Sequence, residues 1–115
     1  MSFCEPLPKQ CPPPDAQEGD LETLYRLVEN DPVQEEDFWS HEKLGKSRPK
    51  DVDECRWASC SLLSEKKARS IQKNKRHKHK KMLAVNVRQT HGRWTRTDEH
   101  VDFWRYQSVP YTELL

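Results

Sequence analysis

No stretch of this chain approaches the roughly 18 to 20 consecutive apolar residues that a membrane helix needs. Its N-terminal stretch also lacks the basic-then-apolar pattern of an export signal. A helical membrane span is thereby excluded, and the expectation is a cytoplasmic protein with no membrane partner. There is almost no net charge, +1 overall, so the molecule as a whole exerts little long-range steering once salt screens it. No internal repeat is present, no Ser-His-Asp or Cys-His order is recognisable, and there is no convincing Glu-x-Glu or Gln-x-Glu pair. A non-catalytic protein is therefore favoured. The four cysteines, Cys4, Cys11, Cys55 and Cys60, are even in number, but without an export signal they are expected as reduced thiols. Cys55-x4-Cys60 and His77-x-His79 offer donor types that zinc accepts, yet at a spacing unlike the paired ligands of a structural zinc module, so no metal is expected.

What is present bounds the fold. At 115 residues the chain fits one domain with one modest core. Four Trp, three Tyr and three Phe, most of them from Tyr25 onward, are too many bulky apolar groups for a chain that never collapses. Charge is distributed unevenly: residues 1–65 carry 15 acidic and 7 basic side chains, residues 66–115 carry 4 and 13. The two halves either neutralise one another within the fold, or the basic half faces a polyanion.

Along the chain, residues 1–20 contain five prolines and read as a flexible tail, with Pro12 to Pro14 favouring polyproline II. A single domain is expected over 21–108. "LETLYRLV" reads as a first strand, and "NDPVQEEDFWSHEKLG" as a helix with Glu35, Glu36 and Asp37 in its first turns, closing on Gly45. "RWASCSLL", Arg56 to Leu63, reads as a central strand, after which Ser64 caps a helix beginning at Glu65. Only Ala68 and Ile71 supply that helix with an apolar stripe, so "KNKRHKHKK" must be solvated. "KMLAVNVRQ" alternates cleanly, with Leu83, Val85 and Val87 on one face. "THGRWTRT" reads as a glycine-containing turn, and "HVDFWRY" as a strand with Val101 and Phe103 opposed to Asp102, Trp104 and Tyr106. Residues 109–115 form a C-terminal tail whose Tyr111, Leu114 and Leu115 can dock on the body. The expected class is α+β, a small, mainly antiparallel sheet with two helices.

The run from Lys66 to Lys81 holds nine Lys and Arg and two His. Lys73, Lys75, Arg76, Lys78, Lys80 and Lys81 suit phosphate neutralisation with counterion release, and Arg88, Arg93 and Arg96 extend the patch across the following strands. Trp94, Trp104 and Tyr106 add surfaces on which unpaired bases can stack. The expected partner is thus nucleic acid or an acidic protein, with no cofactor. The bland alternative is a solvated loop beside buried aromatics in a structural protein-interaction module, and His41 and His100 are expected to be partly buried packing residues.

The order "LYRLVENDP", "EEDFWSHEKLG", "ECRWASCSLLSEKKAR", a β segment and "HVDFW" resembles a family of small uncharacterised bacterial proteins over Leu24 to Trp104. That family carries a Tyr-Arg strand, Asp-Phe-x-Ser-His, a Ser-x-x-Ser junction and a late His-aromatic motif. The layout is also faintly similar to ADP-ribosyltransferase-like domains. That resemblance implies NAD as an alternative ligand, with Arg26 on its phosphates, Ser59 or Ser61 positioning a ribose, and Glu99 orienting the 2′-hydroxyl.

Overall fold

The computed structural model describes residues 2–115. The α+β class holds: a five-stranded antiparallel sheet, in the order β3-β1-β2-β5-β4, carries two α-helices among the described residues. β1 (Leu24–Val28) lies between β3 (Lys81–Val85) and β2 (Cys60–Leu63). β5 (His100–Arg105) lies between β2 and the edge strand β4 (Gly92–Thr97). Leu24, Leu62, Val85, Val101, Phe103 and Leu114 form the buried centre of one core. Each such side chain contributes roughly 1.5–3 kcal/mol relative to an exposed one. The alternation of β3 is as expected, with Val85 and Val87 fully buried while Ala84 and Arg88 face solvent.

β1 and β3 pair from Leu24 opposite Val85 to Val28 opposite Lys81. On its other side β1 meets β2 only at Tyr25 opposite Leu63, and beyond that pair the two strands splay apart. Helix α2 (Glu65–Gln72) begins where β2 ends, with the Ser64 hydroxyl accepting a hydrogen bond from the Lys67 N–H at 3.1 Å. Such a cap is worth about 1 kcal/mol. Ala68 is fully buried and Ile71 half-buried against the sheet, so the two apolar positions of this run seat the helix and nothing after them extends it.

Several elements depart from expectation. The helix expected over residues 30–45 contracts to one 3₁₀ turn, Glu35–Phe38. Asp37 there turns back on the preceding loop, its carboxylate accepting from the N–H groups of Glu29 at 3.1 Å and Gln34 at 2.8 Å. Gly45 still closes the segment, in the left-handed region that glycine favours (φ 76°). The strand expected from Arg56 splits into a short helix α1 (Glu54–Trp57) and then β2, because Asp53 caps the helix by accepting from Arg56 N–H at 2.8 Å. The turn expected at "THGRWTRT" is strand β4. Gly92 is required there for approach rather than for turning: a Cβ on it would lie 2.2 Å from the Trp104 carbonyl oxygen. The turn itself falls at Asp98-Glu99, between the paired Thr97 and His100. β5 is buried on both faces, so Asp102 and Trp104 are interior rather than outward.

The proline-rich segment expected as a flexible tail lies against the body instead. Cys4 N–H donates to the Arg105 carbonyl at 2.9 Å, and Gln17 exchanges backbone hydrogen bonds with Trp94, covering the β4 edge. Ala16 is buried, and the Glu5 carboxylate accepts from both the N–H (3.0 Å) and the hydroxyl (2.5 Å) of Ser40. Prolines exclude a helix here but not docking of an extended chain. Cys11 and Cys55, expected as thiols, are joined in a disulfide with Cα atoms 5.5 Å apart. Closing that 44-residue separation is worth about 4 kcal/mol in the chain-entropy picture. Cys4 and Cys60 are free, and burial pushes both thiols above their ordinary range. At the other end, the 3₁₀ turn Tyr111–Leu114 docks, burying Leu114 and accepting from Asn86 N–H at 2.7 Å, with Tyr111 packed against the core, while Leu115, also expected to dock, is exposed. No helix of the described residues is long and apolar enough to cross a membrane.

Candidate functional site

The site follows from the splayed strands. Arg26 reaches into the opening between β1 and β2 and donates to three main-chain carbonyls: Asp37 through Nε at 2.9 Å, Ser61 through Nη1 at 3.0 Å, and Trp39 through Nη2 at 3.0 Å. These bonds replace the missing ladder and fasten the 3₁₀ turn to the sheet. Among the described residues, no carboxylate pairs with the Arg26 guanidinium.

Above this opening is a cleft of about 600 Å³. β1 contributes Leu27, β2 contributes Ser61 and Leu63, and α2 contributes Lys67 and Ile71. His41 and Lys46 enter from the loop after the 3₁₀ turn, His77 and Lys80 from the basic run, and His100 from β5. Three acids also line it, but each is engaged. Glu29 lies 3.0 Å from His79, Glu36 accepts from Asn30 at 3.3 Å, and Asp37 is held by its own loop. Lys46, Lys67 and Lys80 form no ion pair among the described residues.

The electrostatic consequence is visible in the titrating groups. Burial, then the charges of Lys46, Arg26 and Lys80, hold His41 below its ordinary value. Partial burial followed by Lys80, His79, Arg76 and Lys46 does the same to His77. Lys80 is lowered by burial, with Glu29 opposing and Lys46 and Arg26 adding to the effect. His100 is lowered by burial against the pull of Asp102. The Nδ1 atoms of His41 and His77 are buried without a hydrogen-bond partner. His41 also stacks on Trp57 with ring centres 4.5 Å apart, so it is partly buried packing as expected and a cleft group as well.

Behind His100 lies a second polar cluster. The buried Asp102 carboxylate receives Arg56 Nε at 3.2 Å and lies 3.0 Å from the Ser59 hydroxyl and 3.7 Å from His100 Nε2. The serine meets the carboxylate rather than the imidazole, so the three do not form a nucleophile relay. Of the residues named for NAD, Arg26 and Ser61 share the cleft and Ser59 is buried in the Asp102 cluster. Glu99 is exposed in the β4–β5 turn, accepting from the Ser64 hydroxyl at 3.2 Å.

The basic run forms a series of turns closed by Gln72, whose side chain donates to the Lys80 carbonyl at 2.7 Å. Lys73, Lys75, Arg76 and Lys78 are exposed and form no ion pair among the described residues. Lys80 faces the cleft, and Lys81 pairs with Asp31. Arg88, Arg93 and Arg96 do not continue this patch. Arg88 follows the far end of β3, roughly 20 Å along the strand from Lys81. Arg93 and Arg96 lie on β4, at the opposite sheet edge, where Arg96 forks onto Glu22 at 2.9 and 2.5 Å. The expected stacking surfaces are withdrawn into the fold. Trp104 and Tyr106 are buried, with the Trp104 indole donating to the Cys55 carbonyl at 3.2 Å. Half-buried Trp94 donates to Gly19 at 3.0 Å.

Sequence reasoning did not single out Lys46, Lys67 and His77 as partners of Arg26, since tens of residues separate them and no spacing links them. Among the described residues, no group of three His, Cys, Asp or Glu side chains converges as a metal ion would need. Comparison of the chain with protein-family models, curated proteins and solved structures finds no match to any of them.

Proposed function

We propose that this protein is a non-catalytic binding module that contacts the phosphate backbone of a nucleic acid through the turns after α2. The observation that carries this is the set Lys73, Lys75, Arg76 and Lys78, exposed together without carboxylate partners while Lys81 and Arg96 are neutralised within the fold. Ammonium and guanidinium groups so placed exchange condensed counterions for themselves on a phosphate chain. With the aromatics buried, contact is to the backbone, and little base preference is expected.

The test is fluorescence anisotropy of a labelled single-stranded oligonucleotide across a salt series, with the four cations replaced by Gln as the comparison. If all four engage, log affinity falls with log salt at a slope of about −3, from about −0.7 per phosphate. The Gln variant then loses most of the binding. Absence of binding at low salt overturns the proposal, and equally tight capture by poly-glutamate redirects it to an acidic protein.

NAD-dependent ADP-ribosyl transfer is the second proposal, favoured by the meeting of Arg26 and Ser61 in one cleft. It predicts a rise in Tm with millimolar NAD. An unchanged Tm removes it.

A further inference from the structure

The cleft beside the basic turns has chemistry of its own. Its carboxylates, Glu29, Glu36 and Asp37, are engaged by His79, Asn30 and main-chain N–H groups. Lys46, Lys67 and Lys80 line the same concave surface without an ion pair among the described residues, and the Nδ1 atoms of His41 and His77 have no partner. The groups that such a surface attracts are anions. Three features narrow the class of anion. Arg26 is pinned by three carbonyls, so most of its N–H donors are already engaged and the lysines are left to meet the anion. The remaining cations, Lys46, Lys67 and Lys80, are point charges on flexible stems, the type that serves phosphate. Their number suits a group carrying about −1.5 to −2 charge at neutral pH, as a phosphomonoester does, better than the single charge of a diester.

The cleft is also larger than one phosphate. Its 600 Å³ falls within the range of small-molecule sites, and Leu27, Leu44, Leu63 and Ile71 provide apolar wall for a body attached to the phosphate. We propose that the cleft is a binding site for a phosphomonoester, its phosphate held by Lys46, Lys67 and Lys80 with the imidazoles of His41, His77 and His100 as further donors. The site is separate from the exposed turns, and neither proposal depends on the other. A free phosphorylated small molecule and the terminal phosphate of a nucleic-acid strand present the same chemistry.

A phosphate dianion entering among the three imidazoles favours their charged forms, so binding draws protons from solvent. His41 faces Lys46, Arg26 and Lys80; His77 faces Lys80, His79, Arg76 and Lys46; His100 faces Asp102, Arg56 and Lys67. Around them the lining carboxylates are Glu29, Glu36 and Asp37.

The experiment is isothermal titration calorimetry of the full chain with inorganic phosphate, AMP and adenosine, in two buffers of different ionisation heat. The comparison is the Lys46→Gln, Lys80→Gln double variant, with circular dichroism to verify its fold and His41→Gln as a milder second variant. Expected are AMP binding with net proton uptake near pH 6.5, at least tenfold weaker binding in the double variant, and reduced proton uptake in His41→Gln. Adenosine should not compete. Absence of phosphate and AMP binding at millimolar concentration overturns the proposal, as does AMP affinity unchanged in the double variant or matched by adenosine. A 5′-phosphorylated oligonucleotide is then compared with its 5′-hydroxyl counterpart on the variant lacking Lys73, Lys75, Arg76 and Lys78. Preference for the phosphorylated end supports a strand terminus as the source, and equal weak binding beside tight AMP binding supports a free small molecule. Failure of the exposed turns to bind nucleic acid leaves these AMP results unaffected, so the two proposals fail separately.

Discussion

The two sides of the sheet use cations in opposite ways. At the β4–β5 side, Arg96 forks onto Glu22, the buried Arg105 meets Glu35 at 2.6 Å, and Arg56 meets Asp102 at 3.2 Å. At the β1–β2 opening, Arg26 donates only to carbonyls, and Lys46, Lys67 and Lys80 line the same cleft without an ion pair among the described residues. Both sides are basic in sequence, and the difference lies in where the acids fold. The N-terminal segment carries Glu18 and Glu22 to the β4–β5 side, where Glu18 accepts from the buried Tyr106 hydroxyl. Of the acids near the opening, Glu36 and Asp37 are held by their own loop and Glu29 lies against His79. Paired charge joins segments of the fold, whereas convergent unpaired charge raises the energy of the empty protein and is relieved by an anion.

The contrast can be broken most strongly through the disulfide that anchors the acid-bearing segment. Cys11→Ser should lower stability by up to about 4 kcal/mol, read by chemical denaturation, while AMP affinity in the cleft stays unchanged. Next comes Arg105→Met, which leaves the Val109 carbonyl without its buried donor and breaks a charged hydrogen bond to the half-exposed Glu35, and should cost about 3 kcal/mol. Arg26→Met removes three hydrogen bonds where Arg105→Met removes two, but its carbonyls border an open cleft that water can enter. A loss nearer 2 kcal/mol is expected, and a larger loss than for Arg105→Met would contradict the comparison.

Acidification gives a smaller effect with a definite sign. His41, His77 and His100 are held below their ordinary value of 6.5, so the unfolded chain binds protons more readily than the folded one. Their contribution to stability is complete above about 6.5 and declines as pH falls through the lowered folded values. Tm should therefore drop between pH 6.5 and 5, and saturating AMP should reduce the drop. The lowered carboxylates Glu22 and Glu29 act nearer 4.5, below this window. The smallest effects separate the two sides directly. Arg96→Gln breaks an exposed pair and should cost less than about 1 kcal/mol, whereas Lys46→Gln relieves repulsion and should leave Tm equal or slightly higher.

Much of the sheet was legible because its signals are local. Alternation at Leu83, Val85 and Val87 marks β3, and Ser64 before Glu65 marks α2 with its cap. Where a residue answers to a distant partner, local reading failed. Gly92 has the appearance of a turn residue until the Trp104 carbonyl is found against it, and Asp102 has the alternation of a solvent-facing residue until α1 covers it. The candidate site shows the same division. Its exposed turns, Lys73 to Lys78, are a run that composition alone exposes. The neighbouring cleft joins Arg26, His41, Lys46, Lys67, Lys80 and His100 from five separate segments.

By itself, the sequence determined an α+β chain with one core, a helix that must stop after Ile71, and a lysine-rich stretch that must meet water. Each follows from period and composition, because a side chain without an apolar stripe has nothing to pack. Only the tertiary structure decided which charges cancel and which converge, that the proline-rich segment lies along the sheet under a Cys11–Cys55 bridge, and that Arg26 holds open a cleft. Those outcomes depend on pair distances between residues far apart in the chain, and Coulomb energy and hydrogen bonding are functions of distance, not of sequence order.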